Sequence, residues 1–111
     1  MKINWCEGPQ FPLLVKGGAL GHIDGWIIHT AGVTYPWRET ELSFGIRLGD
    51  EEWTPLPNLP PGRAYTAGTS GDGSFYVVAG RRRGRPLDDA YRLSLCGSGF
   101  RWDRLPRLTF P

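Results

Sequence analysis

Trp5, Trp53 and Trp102 lie 48 and 49 residues apart, and each opens a related phrase: WCEGPQFP, WTPLPNLP and WDRLPRLTFP. Pro9, Pro57 and Pro106 keep the same distance from their tryptophans, as do Phe11, Leu59 and Leu108. A second phrase recurs in the same phase. IDGWIIHTAG (23–32) aligns with GDGSFYVVAG (71–80), so that Asp24, Gly25, Ala31 and Gly32 return as Asp72, Gly73, Ala79 and Gly80. Two phrases in one fixed phase define a repeat near 48 residues. Such a repeat folds as similar units stacked on one another, each needing a neighbour to complete its core.

One unit reads as four strands. AYTAG (64–68) is a short run of small and aromatic residues, and Asp72-Gly73 is a hairpin signal because its turn needs positive φ. SFYVVAG is rich in aromatic and β-branched residues and predicts a buried strand. RRRGRPLD reads as a polar loop, DAYRLSL alternates as a half-exposed strand, and FRWDRLP is a last strand ending at proline. No amphipathic helical stripe of useful length appears. The 16 Gly and 10 Pro among 111 residues fit an all-β chain with many turns. Four antiparallel strands per unit make a propeller blade. The expected organisation is an outer strand of a preceding blade in residues 1–12, one blade over 13–60 and a second over 61–111.

The unit resembles the kelch repeat. In that family an inner strand leads through a turn to an aromatic-aliphatic strand closing on Gly-Gly, followed by an aromatic residue and a tryptophan. Here the second strand is WIIHTAG or FYVVAG, with Ala31 and Ala79 at the first glycine position. The later aromatic is Phe44 or Tyr91, and the tryptophan is Trp53 or Trp102. The resemblance implies kelch-type blades, as a partial propeller or as one subunit of an oligomeric ring. Propellers use roughly four to eight blades. The expected partners are therefore further blades of a longer chain, or other copies of this one, with three copies giving six blades.

The resemblance also implies where function would lie. The loop between second and third strands and the entry to the first strand share one face, the family's usual binding surface. On that face Arg81, Arg82, Arg83 and Arg85 come from one unit and Tyr35, Trp37 and Arg38 from the other. Arg63, at the mouth of a first strand, resembles the arginine that some kelch proteins direct at acidic peptides. Guanidinium groups bind carboxylates in pairs, and aromatic residues beside arginine suit interface anchoring or sugar stacking. The expected function is a binding module for an acidic peptide or glycan. The alternative is part of a kelch-type enzyme acting on a carboxylated sugar, like the sialic-acid mutarotases, or of a kelch-like oxidase.

Catalytic chemistry has little to stand on. No G-x-S-x-G, HExxH or P-loop occurs, no metal-ligand spacing appears, and no cofactor is expected. His29 sits mid-strand as a core histidine, and His22 has no evident partner. Asp24 and Asp72 recur because Asp-Gly makes the turn. Glu39, Glu41, Glu51 and Glu52 form no matched carboxylate pair. A net charge of +2, from 13 basic and 11 acidic residues, is too balanced for nucleic-acid binding by the whole chain. With no apolar run near 18 residues, no membrane partner is expected. Cys6 and Cys96 read as free thiols, and the absence of a signal-like segment leads to a cytoplasmic expectation.

Overall fold

The structure, a computed structural model, describes residues 2–109. Its strands are β1 (Val15–Lys16), β2 (Ala19–Ile23), β3 (Trp26–Thr30), β4 (Val33–Thr34), β5 (Arg38–Glu39), β6 (Ser43–Arg47) and β7 (Thr54–Leu56) in the first repeat. The second repeat supplies β8 (Ala67–Gly71), β9 (Ser74–Val78), β10 (Arg81–Arg82), β11 (Arg85–Pro86), β12 (Ala90–Cys96) and β13 (Gly99–Arg104). There is no helix among the described residues, so none is long and apolar enough to cross a membrane.

Two four-stranded antiparallel sheets, β2-β3-β6-β7 and β8-β9-β12-β13, form the blades. Their first hairpins turn at the expected dipeptides. Asp24 and Gly25 have φ of 43° and 83°, and Asp72 and Gly73 have 50° and 74°. Positive φ at both central residues matches the right-handed twist of the flanking strands. The 48-residue phase holds through β3 and β9, then shifts by one. Ala31 N–H donates to Leu42 O and Ala79 N–H to Asp89 O, so Leu42 corresponds to Asp89, 47 residues on.

Side chains alternate across each sheet, so every blade has two faces. The downstream face of the first blade carries Ala19, Gly21, Ile23, Trp26, Ile28 and Leu56. It packs on the upstream face of the second, where Phe75, Val77 and Leu93 are fully buried and Tyr91, Phe100 and Trp102 close the margin. Leu59, in the connection between blades, is 1% exposed and plugs this core. Trp26 meets Phe100 edge-on with ring centroids 5.2 Å apart. Trp102 Nε1–H donates to Pro57 O at 2.9 Å, tying the outer strand of the second blade to the connection leaving the first.

The recurrent tryptophan phrase therefore has a structural meaning. Trp53 Nε1–H donates to Pro9 O at 3.4 Å, repeating the Trp102–Pro57 contact one unit earlier. Phe11 takes the place of Leu59 and packs edge-on against His29, Phe44 and Trp53, at centroid distances of 4.8, 5.6 and 4.9 Å. Residues 3–11 belong to no strand here. They form a strap tied to the first blade at Pro9 and Phe11 and are paired with no sheet.

Ala31 and Ala79, at the first position of the expected glycine pair, have φ of 66° and 56°. Alanine is strained in this left-handed region and glycine is not. Ala31 is 1% exposed and keeps its methyl in the core, whereas Ala79 is only half-buried. Ala79→Gly should raise stability by about 0.5–1 kcal/mol, with Tm rising by about 2–6 °C in a melting experiment. A fall in Tm would mean that packing of the methyl outweighs the backbone strain.

Candidate ligand-binding face

The two loops expected between second and third strands are short β-hairpins. In the first repeat β4 pairs with β5, Val33 opposite Glu39 and Thr34 opposite Arg38, around a tip of Tyr35, Pro36 and Trp37. β1 adds a third strand through Val15–Thr34 and Lys16–Val33 pairs. In the second repeat Arg81 pairs with Pro86 and Arg82 with Arg85, around Arg83-Gly84. Arg83 has φ 51° and Gly84 φ 75°, again the turn that suits a two-residue hairpin. Ala64 and Arg81 exchange backbone hydrogen bonds at 2.9 and 2.8 Å, which fixes this hairpin against the entry to the second blade.

The hairpins from successive blades meet across one cleft of about 500 Å³, lined by Trp37, Arg38, Glu39, Arg82 and Arg83. Glu39 holds the two walls together by accepting a 2.8 Å hydrogen bond from Arg83 N–H. That bond, ahead of the nearby Arg82 and Arg83 charges, keeps the Glu39 carboxyl below its ordinary pKa. Arg82 donates to Gly62 O at 3.0 Å, which positions its guanidinium on the cleft wall. Three arginines thus line the cleft with one carboxylate, leaving cationic capacity for an incoming anion.

Beside the cleft lies an apolar hollow of about 300 Å³, lined by Leu14, Val15, Lys16, Val33, Thr34, Tyr35 and Trp37. Tyr35 and Trp37 are 81% and 70% exposed. Lys16 Nζ sits 4.7 Å from the centroid of the Trp37 ring and covers one of its faces. On the other side, Arg82, Arg83, Arg85, Pro86 and Leu87 line a shallow hollow of about 490 Å³. Arg81 donates to Gly84 O within its own hairpin at 3.2 Å and does not line the cleft.

Arg63 departs from expectation. Its side chain is fully buried and turned inward, with Nη1 and Nη2 donating to the two carboxylate oxygens of Asp89 at 2.6 and 2.9 Å. Nη1 also donates to Ala79 O at 3.2 Å and Nε to Pro61 O at 3.4 Å, while the guanidinium lies 5.3 Å from the Tyr91 ring centroid. With its charge matched and its donors used internally, Arg63 supports the second blade and is not offered to a ligand. Asp89 was the missed signal: the corresponding positions in the first repeat are Val15 and Leu42, so both charges enter together. Glu39 gives no signal in the sequence, because its partner is a backbone N–H 44 residues away.

No family model and no curated protein matches the sequence. Among solved structures, the structure of YjhT, a β-propeller-type protein, matches over 93% of this chain with a TM-score of 0.75 and 14% identity. This chain has the fold of a propeller segment. It spans 40% of that protein's length. The propeller-type neighbour and the antiparallel four-stranded sheets together fit the kelch-like fold that the repeat implies.

Proposed function

We propose that this propeller segment is a binding module for carboxylate-bearing ligands, taken up in the cleft between the two hairpins. The observation that carries this reading is the convergence of Arg38 from one blade with Arg82 and Arg83 from the next, beside the exposed indole of Trp37. Guanidinium groups on opposite walls suit a ligand carrying more than one carboxylate, and the excess of arginine charge over the single Glu39 carboxylate disfavours cationic competitors. Trp37 offers an apolar contact to the body of such a ligand.

Carboxylates on an acidic peptide and on an acidic sugar share this chemistry. Binding of a fluorescent hexaglutamate peptide and of N-acetylneuraminic acid oligomers separates the two sources. Arg82→Ser with Arg83→Ser should weaken the bound probe by about tenfold or more and flatten its salt dependence, since two charge-assisted contacts are lost. Arg63→Lys is not part of this test, because Arg63 reports on folding. Equal affinity and equal salt slope in the Arg82/Arg83 variant would show that the hairpins are solvated scaffold.

A further inference from the structure

A carboxylate already sits in the cleft between the hairpins, and its partner is not an arginine side chain. Glu39 Oε1 accepts the Arg83 N–H at 2.8 Å. Among the described residues no ion pair joins Glu39 to Arg38, Arg82 or Arg83, although all four line the same cleft. Arg83 stands between Arg82 and Arg85, which pair with each other, so its N–H lies in the turn and takes no part in the β10–β11 ladder. A backbone N–H left free by the ladder, with guanidinium groups beside it, is a seat for a carboxylate, because hydrogen bonds to an ionised oxygen are among the stronger ones.

The Glu39 side chain is not needed to hold the blades together. Around it, Gly32 N–H donates to Arg63 O at 2.7 Å, Arg63 N–H to Thr40 O at 3.4 Å and Leu59 N–H to Glu41 O at 2.8 Å. A Cβ added at Gly62 would stand 2.6 Å from Glu39 O, so the backbone carrying Glu39 is seated on the second blade whatever its side chain does. The repeat makes the same point. Val33 opposite Glu39 corresponds to Arg81 opposite Pro86, so the second hairpin forms with a residue that has no side-chain acceptor in that place. The Glu39–Arg83 bond is itself exposed, so water replaces it when the side chain turns away.

We propose that Glu39 is a tethered stand-in for a ligand carboxylate: it occupies the Arg83 N–H until a ligand takes that donor and the Glu39 side chain turns out to solvent. This rests on the carboxylate reading of the cleft and adds to it a named donor and a selection rule. Being tethered, Glu39 competes at an effective concentration on the order of millimolar or above. A monocarboxylate only exchanges one carboxylate for another at the amide, and gains little. A polycarboxylate places one group on the amide and others on Arg38, Arg82 and Arg83, and so displaces Glu39. The cleft thereby selects multiply charged acids over simple ones.

The test uses the 111-residue chain with acetate as the monocarboxylate and the fluorescent hexaglutamate peptide as the polycarboxylate. Glu39→Ala frees the Arg83 N–H, whereas Glu39→Gln keeps a side-chain oxygen for it and removes only the charge. In proton–nitrogen correlation spectra, acetate should move the Arg83 amide of the Ala variant downfield to saturation and leave that of the native chain in place. Hexaglutamate should bind the Ala variant about tenfold more tightly than the native chain, and the Gln variant should gain about threefold or less, since an exposed charge alone is screened by salt. An Arg83 amide that acetate does not move in the Ala variant would overturn the proposal. So would hexaglutamate binding that weakens in the Ala variant, or rises equally in both variants. If Arg82→Ser with Arg83→Ser leaves hexaglutamate binding unchanged, the carboxylate reading of the cleft fails, whereas an unmoved amide beside a clear effect of those arginines sinks this proposal alone.

Discussion

Asp89→Ala should lower the unfolding free energy by about 3–5 kcal/mol, because it strands the Arg63 guanidinium in the core without a counter-charge. Arg63 is 0% exposed and the Asp89 side chain 9%, so water cannot replace the lost partner without opening the blade. Arg63→Ala should cost a similar amount, leaving Asp89 buried and adding a cavity beneath Tyr91. The double variant Arg63→Val with Asp89→Leu should behave differently. It installs the pair that the first repeat uses, Val15 and Leu42, in a backbone frame with matching hydrogen bonds. Replacing a buried ion pair by apolar residues is often neutral or stabilising. The double variant should therefore recover most of the loss, and urea titrations of the four proteins give the coupling directly. A double variant as unstable as the sum of the singles would refute the equivalence of the two sites.

The same pair predicts an acid response. Burial alone would raise the Asp89 pKa, but the hydrogen bonds and charge of Arg63 outweigh it and hold the carboxyl below its ordinary value of 3.8. A carboxyl depressed in the folded state contributes stability above its unfolded pKa and loses it as pH falls through the folded one. The native chain should thus lose stability progressively below about pH 4, and the Arg63→Val/Asp89→Leu variant should lack this component.

The repeat carried most of the fold. The Trp53 and Trp102 phrases and the two Asp-Gly phrases locate both sheets and both first hairpins, since turn geometry and alternation are written in local residue types. Other features depend on partners distant in the chain. RRRGRPLD reads as loop because arginine, glycine and proline have little strand propensity. It nevertheless pairs across Arg83-Gly84 because the Ala64 backbone supplies a ladder edge. Residues 3–11 have strand-like composition and the same phrase as β7 and β13, yet lack the sheet beside them that makes those segments strands. At the site, proximity of the two hairpins followed from the repeat. The inward turn of Arg63 did not, because an arginine at a strand mouth looks the same in sequence whether it faces water or a buried carboxylate. Only comparison of both members of the pair across the repeat, Arg63 with Val15 and Asp89 with Leu42, distinguishes the two.

The complementarity of Gly21 and Phe75 leads to the other large effect. A Cβ added at Gly21 would collide with the Phe75 ring and lie 2.8 Å from Ser70 Oγ. Phe75 is fully buried at the centre of the interblade core. The ring cannot retreat, because Leu93 beside it in the ladder is equally buried. Gly21→Val should therefore separate the blades locally and cost about 3 kcal/mol or more, at the upper end for overpacking. Phe75→Ala should cost about 3–5 kcal/mol through lost burial and the cavity left behind. These penalties have opposite causes at one place, excess volume and missing volume. Gly21→Val combined with Phe75→Ala lets the new side chain fill part of the void, so its cost should fall well short of the sum. Denaturant midpoints of the singles and the double decide the matter. Strict additivity would mean that residues 21 and 75 do not share a cavity, and the blade-on-blade packing described for this chain would be wrong at its centre.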